Sequence, residues 1–219
     1  MTDNTAGLWA PYGRHRYGIL FYSLLVSLVV MPLSKPLGFN GNVAELFLAV
    51  NLIAAVVAVG EGLIRRVGLG VLFIALATRL GSAWFDQDAL STGSLALWGV
   101  MALLAAANAL VFSLRGQAIV AEKVYAALSA YLLAGFFFGL LYWVIDQSAP
   151  GSLAVSGATG PDSISTFTAI YFSFVTLASL GYGDVLALSD PARGLAVIEV
   201  VGGQLYLAVM VARLVSAWR

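Results

Sequence analysis

The residues best suited to chemistry in this chain are Ser179-Leu180-Gly181-Tyr182-Gly183-Asp184. They belong to a longer run, Tyr171 to Leu186, that is apolar and aromatic as far as Ser179. From there glycine stands at every second position, with a tyrosine between, and a carboxylate closes the series. Two glycines so close would cost a helix interior roughly 1 kcal/mol each, so the run does not read as the middle of a spanning helix. Glycine does admit backbone angles that other residues resist. A chain using those angles can turn successive carbonyl oxygens toward one axis, and such an array replaces the water around a dehydrated cation. The plain alternative is a glycine-rich surface turn, and the elements around the run decide between the two.

Those elements are membrane helices. The chain has 219 residues, 61% hydrophobic and 10% charged, whereas soluble domains are nearer half apolar and a quarter charged. Six stretches approach the ~20 apolar residues that a bilayer span needs. They run from about Tyr17 to Leu33, Val43 to Ile64, Val67 to Phe85, Ser94 to Leu114, Val124 to Ile145 and Pro191 to Trp218. The first follows Arg14-His15-Arg16 and lacks a small-residue cleavage site, so it reads as a retained span. Between the fifth and sixth, Gln147 to Asp162 is small and polar and reads as a flexible extracellular loop. Ser163 or Ser165 can then cap a helix from about Ile164 to Leu177. That segment is too short to span and reads as re-entrant. Non-helical backbone at membrane depth survives only where it is buried in protein or lines water, which is what the glycine run after it would do.

Charge sets the orientation. Arg14, Arg16, Arg65, Arg66, Arg115, Lys123, Arg213 and Arg219 fall on one side, with both termini. Lys35 and Arg193 fall on the other. Basic residues are retained in the cytoplasm, so both termini are expected there and the glycine run opens outward. Eleven basic and eleven acidic residues cancel, which implies no nucleic-acid partner. The absence of cysteine excludes disulfides and thiolate metal sites, and His15, the single histidine, cannot form a catalytic or metal cluster. No cofactor is expected.

With its flanking helices, the run Ser179 to Asp184 resembles the pore signature of the potassium channel family, usually Thr-Val-Gly-Tyr-Gly-Asp. Gly181, Tyr182, Gly183 and Asp184 match unchanged, while Ser179 and Leu180 replace the first two residues. The resemblance is specific over about Val124 to Val215. It implies that the carbonyls of Ser179, Leu180, Gly181 and Tyr182, with the Ser179 hydroxyl, hold dehydrated potassium ions as the permeant species. Tyr182 would pack outward against the pore-helix residues Tyr171, Phe172, Phe174, Val175 and Thr176. Asp184 would sit at the outer mouth. Some members pair that aspartate with a pore-helix carboxylate, and Val175 stands at that position here, so the pairing is absent. Such a filter needs four loops around one axis, so one loop per chain implies a homotetramer in a lipid bilayer.

Further expectations concern the last helix. Gly202 and Gly203 fall where family inner helices carry a hinge, with close helix packing as the alternative. If Gln204 faces the cavity, then Leu207, Val211 and Val215 follow on that face by helical spacing and could form a dewetting gate. Glu199 is a carboxylate inside a span, expected behind the pore helix as a brace. Gly135 and Gly139 form a small-residue face, read as packing on the sixth helix. In the first four helices, Arg79 is paired with Glu45 or snorkels outward. The fourth helix has no basic residue and Asn108 as its one strongly polar interior group, which argues against strong voltage gating through it.

The resulting expectation is an all-α integral membrane protein with six spans, a re-entrant pore helix and a filter loop. A peripheral four-helix domain over 1–120 precedes a pore domain over 121–219. The chain closes at Arg219 soon after the last span, so no ligand-gating domain is expected behind it. The function expected is a potassium-selective channel of prokaryotic type, in the inner membrane. A poorly selective cation channel is the near alternative. A secondary transporter and a non-conducting scaffold are the distant ones, and no internal repeat favours a transporter.

Overall fold

The computed structural model describes residues 6–34, 50–51, 53–55, 69–70, 73–74, 77, 88–116, 120–157 and 164–216. In chain order the elements are α1 (Ala6–Ser34), α2 (Asp88–Leu114), α3 (Ala121–Ser148), β1 (Leu153–Val155), α4 (Thr166–Leu177), β2 (Val185–Ala187) and α5 (Asp190–Ser216). Among the described residues, four helical stretches are long and apolar enough to cross a membrane: His15–Leu33, Leu95–Leu114, Ala121–Ser148 and Asp190–Ser216. The second and third spans expected from the sequence fall almost wholly outside the described residues, as do Arg79 and Glu45. The chain divides into two compact units, Met1–Leu69 with Leu104–Leu133, and Gly70–Leu103 with Ala134–Arg219.

In the first unit, α1 begins eleven residues before the expected span and breaks at His15, whose φ of −126° and ψ of 20° are not helical. A break frees the backbone N–H groups of the turn that follows. The Tyr17 N–H is met by Glu122 Oε2 at 3.1 Å. The Tyr17 ring stacks on Phe112 at 4.6 Å between centroids, and the Arg16 guanidinium lies over both rings. Ser27 and Asn51 are buried and hydrogen-bonded to each other. Asn108 donates to the Leu104 carbonyl of its own helix at 2.7 Å.

In the second unit, α3, α4 and α5 and the two strands form the scaffold. Ser165, not Ser163, caps α4: its Oγ accepts from the Thr168 N–H at 3.1 Å. Pro191 enters α5 in the first turn, where its missing N–H costs nothing. The described part of the loop after α3 includes a strand that its composition did not suggest. Leu153–Val155 pairs antiparallel with Val185–Ala187, with Leu153 opposite Ala187 and Val155 opposite Val185. An isolated two-stranded ribbon is marginal. Here Leu153 and Val185 are buried with Tyr142, Ile164, Ala169, Phe172 and Ala192, so an apolar cluster supports it. Buried Asp146 holds both ends of the loop, accepting the Leu153 N–H on Oδ1 and the Ile164 N–H on Oδ2, each at 3.0 Å.

Gly135 and Gly139 correct the sequence reading. They pack on α4 rather than on the sixth helix. A Cβ on Gly139 would lie 2.6 Å from Ile170 Cα, and one on Gly135 would lie 2.5 Å from the Phe174 ring. At Gly139 the α4 backbone is so close that only glycine fits, whereas at Gly135 the Phe174 ring would have to move aside.

Candidate functional site

The C-terminus of α4 decides where the glycine run starts. There the Ser179 N–H donates to Thr176 O at 2.9 Å and the Leu180 N–H to Val175 O at 2.9 Å. This pair of bonds is a Schellman cap, whose C′ residue takes the left-handed conformation and is usually glycine. Ser179 occupies that position with φ +57°, the one non-glycine residue with positive φ among those described. A left-handed non-glycine residue costs roughly 1–2 kcal/mol. Besides the two cap bonds, Gln204 Nε2 on α5 donates to Ser179 Oγ at 2.8 Å. Gly181 (φ +57°) and Gly183 (φ +75°) are also left-handed. Positive φ therefore falls at 179, 181 and 183, alternating with Leu180 and Tyr182. Sequence alone pointed to the two glycines and missed Ser179, because serine seldom takes this conformation.

At the outer end, the Tyr171 hydroxyl of α4 donates to Asp184 Oδ2 at 2.6 Å, and Asp184 Oδ1 accepts the Val185 N–H at 3.0 Å. The bond to Asp184 pushes the Tyr171 phenol up to about 12, aided by burial and the carboxylate's charge, so the phenol remains a neutral donor. The Asp184 carbonyl accepts the Ser156 N–H at 2.7 Å, which ties the end of the run to β1. The residue four before Ser179 is Val175, as read, and Tyr171, nearly two turns from the end of α4, is the α4 residue that bonds the Asp184 side chain.

Tyr182 is 65% exposed on the single chain. Phe172 and Phe174 face α3, edge-on to Tyr142 at 4.8 Å and to Phe136 at 5.8 Å. Val175 is buried, and the Thr176 carbonyl serves the cap.

Behind α4, Glu199 of α5 is 0% exposed. The Tyr142 hydroxyl donates to its Oε2 at 2.8 Å, and Ser173 Oγ of α4 lies 2.5 Å from its Oε1. The same Ser173 Oγ lies 2.8 Å from the Gly135 carbonyl. Tyr142, Ser173 and Asp146 were not singled out from the sequence. Their signal was polar side chains inside apolar helices, which is costly without partners. One turn after Glu199, a Cβ on Gly203 would lie 2.6 Å from the Leu177 carbonyl, whereas Gly202 faces open space. The helix α5 runs unbroken through both. Gly203 thus serves close approach to the end of α4. Leu207, Val211 and Val215 are exposed on the single chain.

Residues 126–219 match the family described as "Ion channel". Comparison with curated proteins and with solved structures returned no match. The matched segment takes in the last three helices, the glycine run and the carboxylates around it. Together with the apolar helices, it marks a multi-pass membrane protein carrying an ion channel domain, a passive conductor of ions and not an enzyme.

Proposed function

We propose that the protein is a potassium-selective channel in which residues 179–184 of four identical chains form the filter around a central pore. The observation that carries this reading is the alternation of left-handed backbone at Ser179, Gly181 and Gly183. Inverting every second residue brings successive carbonyl oxygens to one side of the chain, and a ring of such carbonyls replaces an ion's hydration shell. The C-terminal end of α4, with its partial negative charge, lies at the start of the run. Dehydrated cations are favoured there by the same field.

The tetramer is supported by α5. Its buried residues are Ala192, Glu199 and Gly203, one stripe of the helix. Val197, Ile198, Val201, Leu205 and Val209 are exposed large apolar residues. Exposed Leu180 and Tyr182 have no apolar cover on one chain, and neighbouring copies would provide it. In this assembly Gln204 faces the cavity beneath the filter, with Leu207, Val211 and Val215 lining the conduit toward the cytoplasmic end and Gly202 giving the helix room to bend. The role of the region over 1–120 is peripheral support, without the arginine ladder a voltage sensor needs.

Reversal potentials of the purified protein in liposomes, under mixed potassium and sodium, test the selectivity. The expected result is a reversal close to the potassium equilibrium potential and loss of flux in Gly181→Asp. Equal permeability would leave a poorly selective cation channel, for which the serine and leucine at 179 and 180 are the relevant departures. Mass measurement of the assembly in detergent tests the tetramer.

A further inference from the structure

The hydrogen-bond count around Glu199 assigns a proton that no other feature requires. Ser173 carries one hydroxyl hydrogen. Its oxygen stands at hydrogen-bonding distance from two others, the Gly135 carbonyl at 2.8 Å and Glu199 Oε1 at 2.5 Å. A carbonyl cannot donate. If Glu199 were ionised, it could not donate either, and the single Ser173 hydrogen would have to be shared between two acceptors, leaving both bonds bent and weakened. Tyr142 cannot supply the missing hydrogen, because its own is directed to Oε2.

We propose that Glu199 is a neutral carboxylic acid that donates to Ser173, and that this proton positions the pore helix. The chain of bonds is then complete: Tyr142 O–H to Glu199 Oε2, Glu199 Oε1–H to Ser173 Oγ, Ser173 O–H to Gly135 O. Every hydrogen in it has one acceptor and none is shared. The surroundings agree. Glu199 is fully buried, and no ion pair joins it to a cation among the described residues. A buried carboxylate without a counter-charge is far costlier than a neutral acid with its hydrogen bonds met.

The consequence reaches the filter. The acid joins α3, α4 and α5 at one point, one turn from the Gly203 contact with Leu177 and a turn and a half before Ser179. Glu199 is thus a positioning residue: it touches no permeating ion and fixes the helix from which the filter hangs. This second part rests on residues 179–184 being the filter, whereas the proton itself does not.

The test uses the full chain in liposomes. Infrared spectra of protein labelled with 13C-carboxyl glutamate, of which the chain has four, are expected to show a protonated-acid C=O band at neutral pH that is absent from Glu199→Gln. Removing the acceptor in Ser173→Ala is expected to shift that band, which keeps the assignment open to test even if the glutamine variant assembles poorly. Glutamine can donate to Ser173 and accept from Tyr142, so its potassium flux is expected within about twofold of the parent, while Glu199→Ala, which orphans two hydroxyls, falls about tenfold or more. No acid band in the parent protein, or a glutamine variant as impaired as alanine, overturns the proposal. Parent liposomes that show the band but pass no potassium would overturn the filter reading and the positioning role, and leave the proton established.

Discussion

Two acidic side chains flank α4, and both receive a tyrosine hydroxyl. Asp184 at the end of the glycine run takes its bond from Tyr171, and Glu199 behind the helix takes its bond from Tyr142. The chemistry is the same and the settings differ. Asp184 is exposed on the single chain and its other oxygen meets a backbone N–H one residue on. Water can replace any bond lost there. Glu199 is sealed, with its second oxygen against Ser173, and nothing replaces a bond lost there. An unmet buried polar group costs about 1–3 kcal/mol, whereas an exposed one is resolvated. The same pair of groups therefore sets shape and stability at the back of α4, and the local form of the end of the glycine run at the front.

The back is the more rigid face, and the largest expected effect lies there. Gly139→Val places a side chain against the Ile170 backbone, which cannot move aside as a flexible side chain would. A loss of about 3 kcal/mol or outright failure to assemble is expected, read by thermal unfolding and gel filtration in detergent. Gly202→Ala, which meets no atom within the chain, should leave the packing of α5 on α4 intact. Next in size is Tyr142→Phe. It removes the one donor to Glu199 Oε2 and should lower stability by about 1–2 kcal/mol, measured by the same unfolding assay. A neutral result would mean that the back of the helix is wetter than its burial implies, and the contrast between the two acidic side chains would collapse.

Legibility in the sequence followed the same division. The glycine run, the short helix before it and the long apolar helices were readable because each rests on local rules: span length, capping serine, glycine spacing. The ends of α4 and α5 came within two residues. What the sequence could not place was long-range. Ser179 looked like a plain substitution and proved to be the left-handed cap of the pore helix, because a tertiary bond from Gln204, 25 residues on, helps fix its conformation. Gly135 and Gly139 were rightly read as a packing face, yet the partner was α4. Spacing shows that a face exists and not what lies against it. The strand Leu153–Val155 was read as loop since three residues flanked by glycine and serine carry no periodic signal, and its pairing partner lies 30 residues away.

Gln204 sits between the two faces and gives a finer test. Its amide reaches Ser179 Oγ from α5, so it links the inner helix to the first residue of the run, close to water in the proposed pore. Gln204→Leu removes the donor and keeps the bulk. Because the site is exposed on the single chain, unfolding should shift little, and the effect should fall on conduction: altered single-channel current and a changed rubidium-to-potassium permeability ratio. Ser179→Ala should give the same direction, and the double variant should add nothing further if the two act through one bond.

The smallest effect on stability is expected at the front. Tyr171→Phe breaks the bond to Asp184 but opens no buried hole, and Asp184 Oδ1 keeps its hold on the Val185 N–H. The unfolding temperature should stay within error of the parent. What should change is the freedom of the Asp184 side chain at the mouth, seen as a current that declines during sustained activity or as altered block by external divalent cations. A large drop in stability would show that Asp184 is as buried in the assembled protein as Glu199 is in the single chain. Neighbouring copies would then close over the mouth as tightly as α3 closes over the back, and the two faces of the pore helix would be alike after all.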